Sequence, residues 1–171
     1  GFVMQEYRVG IIGATGMVGQ RFTLLLKEHP WFKVTCVAAS SRSAGKPYAE
    51  AVAGRWALDV PMPEEAKNLV VLDAEQDAER LASMVDFCFC AVDMPKAEIR
   101  AMEEAFARLE TPVVSNNSAC RGVEDVPMLV PEINGAHTRV IEAQRKRLGA
   151  RRGFIACKPN CSIQGYVPAL T

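Results

Sequence analysis

The sequence predicts an α/β domain built on a doubly wound parallel sheet, and three observations carry that prediction. Strand-like and helix-like segments alternate about five times along the chain with short links, the layout of repeated β-α-β units. One segment, Val85-Asp86-Phe87-Cys88-Phe89-Cys90-Ala91-Val92, is a near-continuous apolar run, as a central parallel strand covered on both faces requires. The third observation is a glycine turn, Gly13-Ala14-Thr15-Gly16-Met17-Val18-Gly19, set between a β-branched run and an amphipathic segment near the chain start. The 171 residues, 49% hydrophobic and 23% charged, suit one globular domain or a domain with part of another. A domain of about 150 residues buries about 70% of its unfolded surface, so its core needs no staples.

Each element has its own local cause. Gly1-Phe2-Val3 ahead of Met4 reads as a cloning scar, so residues 1–5 are set outside the fold. Tyr7-Arg8-Val9-Gly10-Ile11-Ile12 reads as a buried first strand. After the glycines, Val18, Phe22, Leu25, Leu26 and His29 recur at helical steps. Strand, glycine turn and helix together form the layout in which N–H groups at a helix N-terminus receive a pyrophosphate. The glycines permit a tight turn and close approach of backbone to phosphate and of helix to strand. A tight turn in a protein that binds nothing would look similar. Its place near the chain start favours a dinucleotide.

Lys33-Val34-Thr35-Cys36-Val37-Ala38-Ala39 is the second strand, and its end bears on the cofactor. An NAD site expects Asp or Glu there, roughly 20 residues past the glycines, for the ribose 2′-OH. This chain has Ser40-Ser41-Arg42-Ser43-Ala44-Gly45-Lys46 instead. Hydroxyls, a guanidinium and an ammonium suit a 2′-phosphate, so NADP is the expected cofactor; an ordinary polar loop is the plainer alternative.

Residues 47–68, with three prolines, receive no firm element. Leu69-Val70-Val71-Leu72 reads as a strand and Ala74 to Met84 as a helix. A helix with Pro95 near its start follows the central strand, placing Ile99, Met102, Phe106 and Leu109 on one side. Pro112-Val113-Val114-Ser115 is a further strand. Beyond it Ser115-Asn116-Asn117-Ser118-Ala119-Cys120-Arg121 sets polar groups where a doubly wound sheet binds ligands. Leu129-Val130-Pro131-Glu132-Ile133-Asn134-Gly135 leads into a helix whose basic end, Arg145-Lys146-Arg147, complements the helix dipole, with Gly149 as its cap. Gly153 to Cys157 is a last strand, ahead of Lys158-Pro159-Asn160-Cys161-Ser162. A thiol placed there, before an apolar helical segment, would have its thiolate stabilised and act as a nucleophile. A buried structural cysteine is the alternative.

Composition excludes several classes of function. Twenty basic and twenty acidic residues cancel, which gives no electrostatic case for nucleic acid or an anionic membrane. No apolar run approaches the ~20 residues of a membrane span. Cys36, Cys88 and Cys90 lie in apolar strands, where cysteine packs as a small hydrophobe. With no secretory signal visible, reduced thiols in a cytoplasmic protein are expected. His29 and His137 have no cysteine pair nearby, so no metal is expected.

With these motifs in order, the chain resembles the aspartate-β-semialdehyde dehydrogenase family, in the branch found in archaea, fungi and some bacteria. The matching stretches are Gly13 to Gly19, Ser41 to Lys46, Ser115 to Ala119, Val130-Pro131-Glu132-Ile133-Asn134 and Pro159-Asn160-Cys161-Ser162. They cover almost the whole chain from Tyr7 onward. The resemblance implies a Rossmann-type domain over residues 6–158 and the start of a catalytic domain over 159–171. It also implies NADP-dependent interconversion of L-aspartate 4-semialdehyde and 4-phospho-L-aspartate, in the synthesis of lysine, threonine, methionine and isoleucine. Cys161 matches the acyl-thioester cysteine, Asn160 a group shaping the oxyanion site, and Arg121 an arginine that holds phosphate. Gly13, Thr15, Gly16, Met17 and Val18 fall where the family wraps the cofactor diphosphate. Ser40, Arg42 and Ser43 fall at the adenosine 2′-phosphate.

The departure is length. Family enzymes continue into a catalytic and dimerisation domain, which supplies a histidine acid/base and an arginine for the substrate carboxylate. The chain is therefore expected to be an N-terminal part, inactive alone, of a homo-oligomeric enzyme acting on small molecules. Another acyl reductase of this fold, such as a malonyl-CoA reductase, and a non-catalytic nucleotide-binding module stay open as alternatives. An N-acetyl-glutamyl-phosphate reductase usually shows a different sequence around its cysteine.

Overall fold

The computed structural model describes residues 7–26, 32–116, 135–150, 153 and 155–157. β1 (Tyr7–Ile12) lies parallel to β2 (Phe32–Ala39), with α1 (Met17–Leu25) between them in the chain. Then come α2 (Tyr48–Ala51), α3 (Glu64–Lys67), β3 (Leu72–Asp73), α4 (Ala78–Met84) and β4 (Phe87–Cys90). α5 (Lys96–Arg108), β5 (Val113–Ser115), α6 (Gly135–Leu148) and β6 (Ile155–Cys157) complete the described elements. The strands form one sheet in the order β3-β2-β1-β4-β5-β6, every pair parallel. The chain builds outward from β1 to β3, returns to lay β4 on the other side of β1, and builds outward again. Ligand crevices of open α/β sheets form where the order reverses in this way, at the carboxyl ends of the strands. Here that place is the end of β1 and β4, where Ile12 pairs with both Ala38 and Cys90.

Strict alternation along the strands explains why both faces need helices. Ile11, Val37, Phe89, Val114 and Ala156 join one buried cluster with Phe22 of α1, with Leu26 just after it and with Tyr48. Their neighbours Ile12, Cys36, Ala38, Cys88, Cys90, Val113 and Ile155 join the other, with Leu81 of α4, Met102 and Phe106 of α5, and Leu148 of α6. A period of two with apolar groups at every position is the pattern of a strand covered on both sides. Phe22 stacks on Phe89 with ring centroids 4.4 Å apart, locking α1 onto the sheet centre. Cys36, Cys88 and Cys90 are buried and form no disulfide, as the strand reading expects.

The structure corrects three local expectations. The third strand is Leu72–Asp73 rather than residues 69–72. The backbone of residues 69–71 bonds instead to the loop before α2 and to the first residue of that helix: Tyr48 N–H donates to Leu69 O and Val71 N–H to Lys46 O, each at 2.8 Å. Helix α4 starts at Ala78, not Ala74, because Asp73 Oδ1 accepts from the N–H groups of Glu75 and Gln76, both at 2.9 Å. That aspartate turn offers the backbone an alternative to helix. The central strand is Phe87–Cys90 rather than residues 85–92, with Ala91 N–H making one last bond to Ile12 O at 2.9 Å. Gly149 ends α6 with φ 73°, and Pro95 stands at the N-cap of α5, both as expected.

The outer edge of β6 is closed by a side chain. Gln144, fully buried on α6, donates from Nε2 to Ile155 O at 2.7 Å and accepts from Ile155 N–H at Oε1. Its amide thus supplies both partners a neighbouring strand would offer, which blunts an edge that could otherwise pair with another chain.

Candidate functional site

A cleft of about 430 Å³ opens at the carboxyl ends of the strands. Gly13, Thr15 and Gly16 line it from the end of β1, Ser40 and Ser41 from β2, Asp73 to Gln76 from β3, and Ala91 to Met94 from β4. The turn after β1 is built by three glycines with three different demands. Gly13 has φ +84°, and a Cβ there would sit within contact distance of Ala91 O and 2.6 Å from Ala91 C. Its N–H and that of Ala14 donate to Ala38 O at 2.8 and 3.2 Å, which hangs the turn on β2. A Cβ on Gly19 would strike Gly13 O and lie 2.7 Å from Ala14 Cα, so this glycine lets α1 pack against the turn. Gly16 is different. A Cβ there would meet only Gly13 O, at an ordinary 3.7 Å. Neither packing nor backbone angle (φ −81°, ψ 170°) requires a glycine at 16; what its bare Cα leaves is room in the cleft.

The electrostatics of this wall favour an anion. The first helical bond of α1 runs from Gln20 N–H to Gly16 O at 2.9 Å. The N–H groups of Met17, Val18 and Gly19 therefore precede the intrahelical ladder, at the positive end of the helix dipole. Bare Cα, ungated N–H groups and dipole together fit a dinucleotide pyrophosphate. Elsewhere, among the described residues, the cleft is lined by the carboxylates of Asp73, Glu75 and Asp93 and by no cation. Those acceptors match the hydroxyl and amino donors of a nucleoside.

The expected site residues divide by position. Gly13, Thr15, Gly16 and Ser40 come together on the cleft. Met17 and Val18 contribute backbone at the head of α1, and the Met17 side chain is 56% exposed, off the cleft lining. Arg42 follows Ser41 on an exposed turn closed by Ser43 N–H and Ala44 N–H, both donating to Ser40 O. Ser43 itself is 6% exposed and does not line the cleft. Arg121, Asn160 and Cys161 lie outside the described residues. The strands that precede them end at this edge of the sheet, where Ser115 pairs with Cys90 and with Cys157.

Sequence reasoning missed the supports beneath the turn. Tyr48, fully buried, donates its hydroxyl to Ala14 O at 2.7 Å. Burial pushes its pKa up against the opposing effect of a Thr23 hydrogen bond, so it remains a donor. Gln20, 1% exposed, donates from Nε2 to Thr15 O at 2.9 Å and to Arg55 O at 3.1 Å, while its Oε1 accepts from Ala57 N–H at 3.0 Å. Gln20 lies two positions from Val18 and from Phe22, off the apolar stripe that the helical period marks, so no pattern pointed to it. Nothing local marks Tyr48. Among the described residues no group of His, Cys, Asp and Glu is arranged to hold a metal ion, and no helix is long and apolar enough to cross a membrane.

Comparison with known proteins agrees with this geometry. The family described as Semialdehyde dehydrogenase, NAD binding domain, matches residues 8–141. The chain is 46% identical over 154 residues to an aspartate-semialdehyde dehydrogenase of Methanothermobacter thermautotrophicus, covering 90% of this chain and 42% of that one. It is 43% identical to the one from Archaeoglobus fulgidus, covering 92% and 43%. The solved aspartate semialdehyde dehydrogenase of Candida albicans with NADP superposes with a TM-score of 0.73 at 35% identity, over 90% of this chain and 42% of that one. The chain thus spans less than half the length of the curated relatives it matches.

Proposed function

Since the chain belongs to the semialdehyde dehydrogenase family, through its NAD binding domain, we propose that it is the cofactor-binding part of an NADP-dependent aspartate-semialdehyde dehydrogenase. The reaction is conversion of L-aspartate 4-semialdehyde, phosphate and NADP to 4-phospho-L-aspartate and NADPH. The observation that carries the reading is Gly16, a glycine that the fold does not need, bordering the cleft at the head of α1. Bound there, NADP supplies the hydride acceptor for aldehyde oxidation. Thr15, Met17 and Val18 would hold the pyrophosphate by backbone N–H groups, while Gly16, whose own N–H bonds Gly13 O, would leave room for it. Ser40 and Arg42 take the 2′-phosphate, Arg42 because a guanidinium offers paired donors to phosphate oxygens. Ser43 belongs to the same loop and supports its turn.

Cys161 is the proposed nucleophile, whose thiolate adds to the aldehyde carbon and carries the oxidised acyl group as a thioester until phosphate displaces it. Arg121 holds that phosphate, and Asn160 helps to stabilise the oxyanion. Residues 6–158 form the cofactor domain and 159–171 begin the catalytic segment. On this reading the partners are small molecules rather than nucleic acid or membrane, which the balance of twenty acidic and twenty basic residues supports. The enzyme acts as a homo-oligomer in the cytoplasm. Titration calorimetry with NADPH and NADH tests the cofactor reading; the expected result is binding with preference for NADPH. A protein that binds neither dinucleotide refutes it.

A further inference from the structure

Two consecutive carbonyls of the glycine turn are held by side chains from outside it. Ala14 O accepts from the Tyr48 hydroxyl, and Thr15 O from the Gln20 amide. Both donors are buried, at 0% and 1% exposure, so water does not compete for these bonds. In a trans peptide the C=O and the following N–H point in opposite directions. Drawing Ala14 O into the interior therefore turns the Thr15 N–H away from it, on a residue that lines the cleft. Holding Thr15 O fixes the next plane, whose Gly16 N–H closes back on Gly13 O at 3.2 Å. The Ala14–Thr15 plane turns about Ala14 ψ and Thr15 φ, and the Thr15–Gly16 plane ends on a glycine, which lets a plane turn over at little steric cost.

We propose that Tyr48 and Gln20 are positioning residues that set the peptide planes of the pyrophosphate-binding turn before the ligand arrives; the proposal rests on the dinucleotide reading above. Gln20 extends the device by tying the turn to the 55–57 loop through Arg55 O and Ala57 N–H, so the loop after α2 becomes a brace for the turn. Pre-setting the planes removes an ordering cost from binding. The effect is confined to ligands that use the turn.

Tyr48→Phe keeps the ring and deletes the hydroxyl; Gln20→Met keeps the length and deletes both amide functions. Each variant, and the parent, is titrated with NADPH and with adenosine 2′-monophosphate, which has the 2′-phosphate but no pyrophosphate. The expected result is NADPH binding about fivefold to tenfold weaker, the equivalent of one lost neutral hydrogen bond, with adenosine 2′-monophosphate unchanged within about twofold. Unchanged NADPH affinity in a folded variant overturns the proposal. Equal loss of both ligands also overturns it, because general loosening of the domain does not distinguish them. If one variant does not fold, the other decides alone. A parent protein that binds adenosine 2′-monophosphate and NADPH equally well shows no use of the turn, and it is the pyrophosphate assignment that falls. A parent that binds neither refutes the dinucleotide reading itself.

Discussion

Replacing Gly16 and Gly19 by alanine, one at a time, should separate binding from folding within a single turn. The Gly19 methyl would lie 2.7 Å from Ala14 Cα and 2.9 Å from Gly13 C, about an ångström inside ordinary contact. Both obstacles are backbone, so relief requires α1 to move off the turn. Helix propensity returns about 1 kcal/mol to the alanine, while forced overpacking costs up to about 3 kcal/mol or more. A net loss of about 2 kcal/mol lowers Tm by roughly 4–8 °C in a chain of this size. At Gly16 the new methyl meets only Gly13 O at 3.7 Å, and its backbone angles suit any residue. Alanine is the poorer N-cap by about 1 kcal/mol but loses less chain entropy on folding, by about 0.4–1 kcal/mol, so stability hardly changes. Its methyl instead takes up room in the cleft that Gly16 lines. NADPH affinity should fall at least about tenfold, since a charge-assisted hydrogen bond to phosphate contributes about 1.5–3 kcal/mol. Thermal melts and calorimetry on both variants read the two effects. Wild-type NADPH affinity in Gly16→Ala, or a melt as depressed as that of Gly19→Ala, would refute the assignment of distinct jobs to the two glycines.

Three further outcomes are expected. Arg42→Ala should weaken NADPH more than about tenfold and leave NADH nearly unchanged, by calorimetry; equal effects on both would remove Arg42 from the 2′-phosphate. Brief iodoacetamide treatment at neutral pH, ranked by mass spectrometry, should label Cys161 ahead of Cys36 and Cys88, because burial pushes the Cys36 thiol up to about 12 and that of Cys88 well above its ordinary value. A Cys161 no faster than these would lose its role as nucleophile. Glu104 of α5 meets Arg147 at 2.7 Å and Arg100 at 3.3 Å. Burial acts to raise its carboxyl pKa, but the two guanidinium groups outweigh it and hold the pKa below the ordinary 4.5. A carboxylate with a lower pKa in the folded state contributes stability that is complete above the unfolded value and is lost as pH falls through the folded one. Melts of the parent and Glu104→Gln should therefore converge as pH drops below 4.5; a constant gap from pH 7 to pH 3 would contradict this.

How much was legible in the sequence depended on the range of the interaction responsible. The alternation of Ile11 with Ile12, of Phe89 with Cys88 and Cys90, and of Val113 with Val114 is local, and it foretold a sheet buried on both faces. The glycine turn was legible for the same reason, since the left-handed φ of Gly13 and the close approach at Gly19 arise between residues near in sequence. The start of α4 was also local but was missed. A short aspartate turn at Asp73 competes with helix through side-chain bonds that periodicity does not register.

What the sequence determined by itself was the order of strands and helices, the apolar character of both sheet faces, and the turn at the end of β1, because each follows from backbone sterics and the spacing of neighbouring side chains. Only the tertiary structure decided the third wall of the cleft at Asp73 to Gln76, the burial of Ser43, the closing of the β6 edge by Gln144, and the bracing of the turn by Tyr48 and Gln20. Tyr48 reaches Ala14 across 34 positions of chain and Gln20 reaches Arg55 across 35. A buried donor pairs with whichever carbonyl the fold leaves within 3 Å, and no local pattern along the chain encodes which one that is.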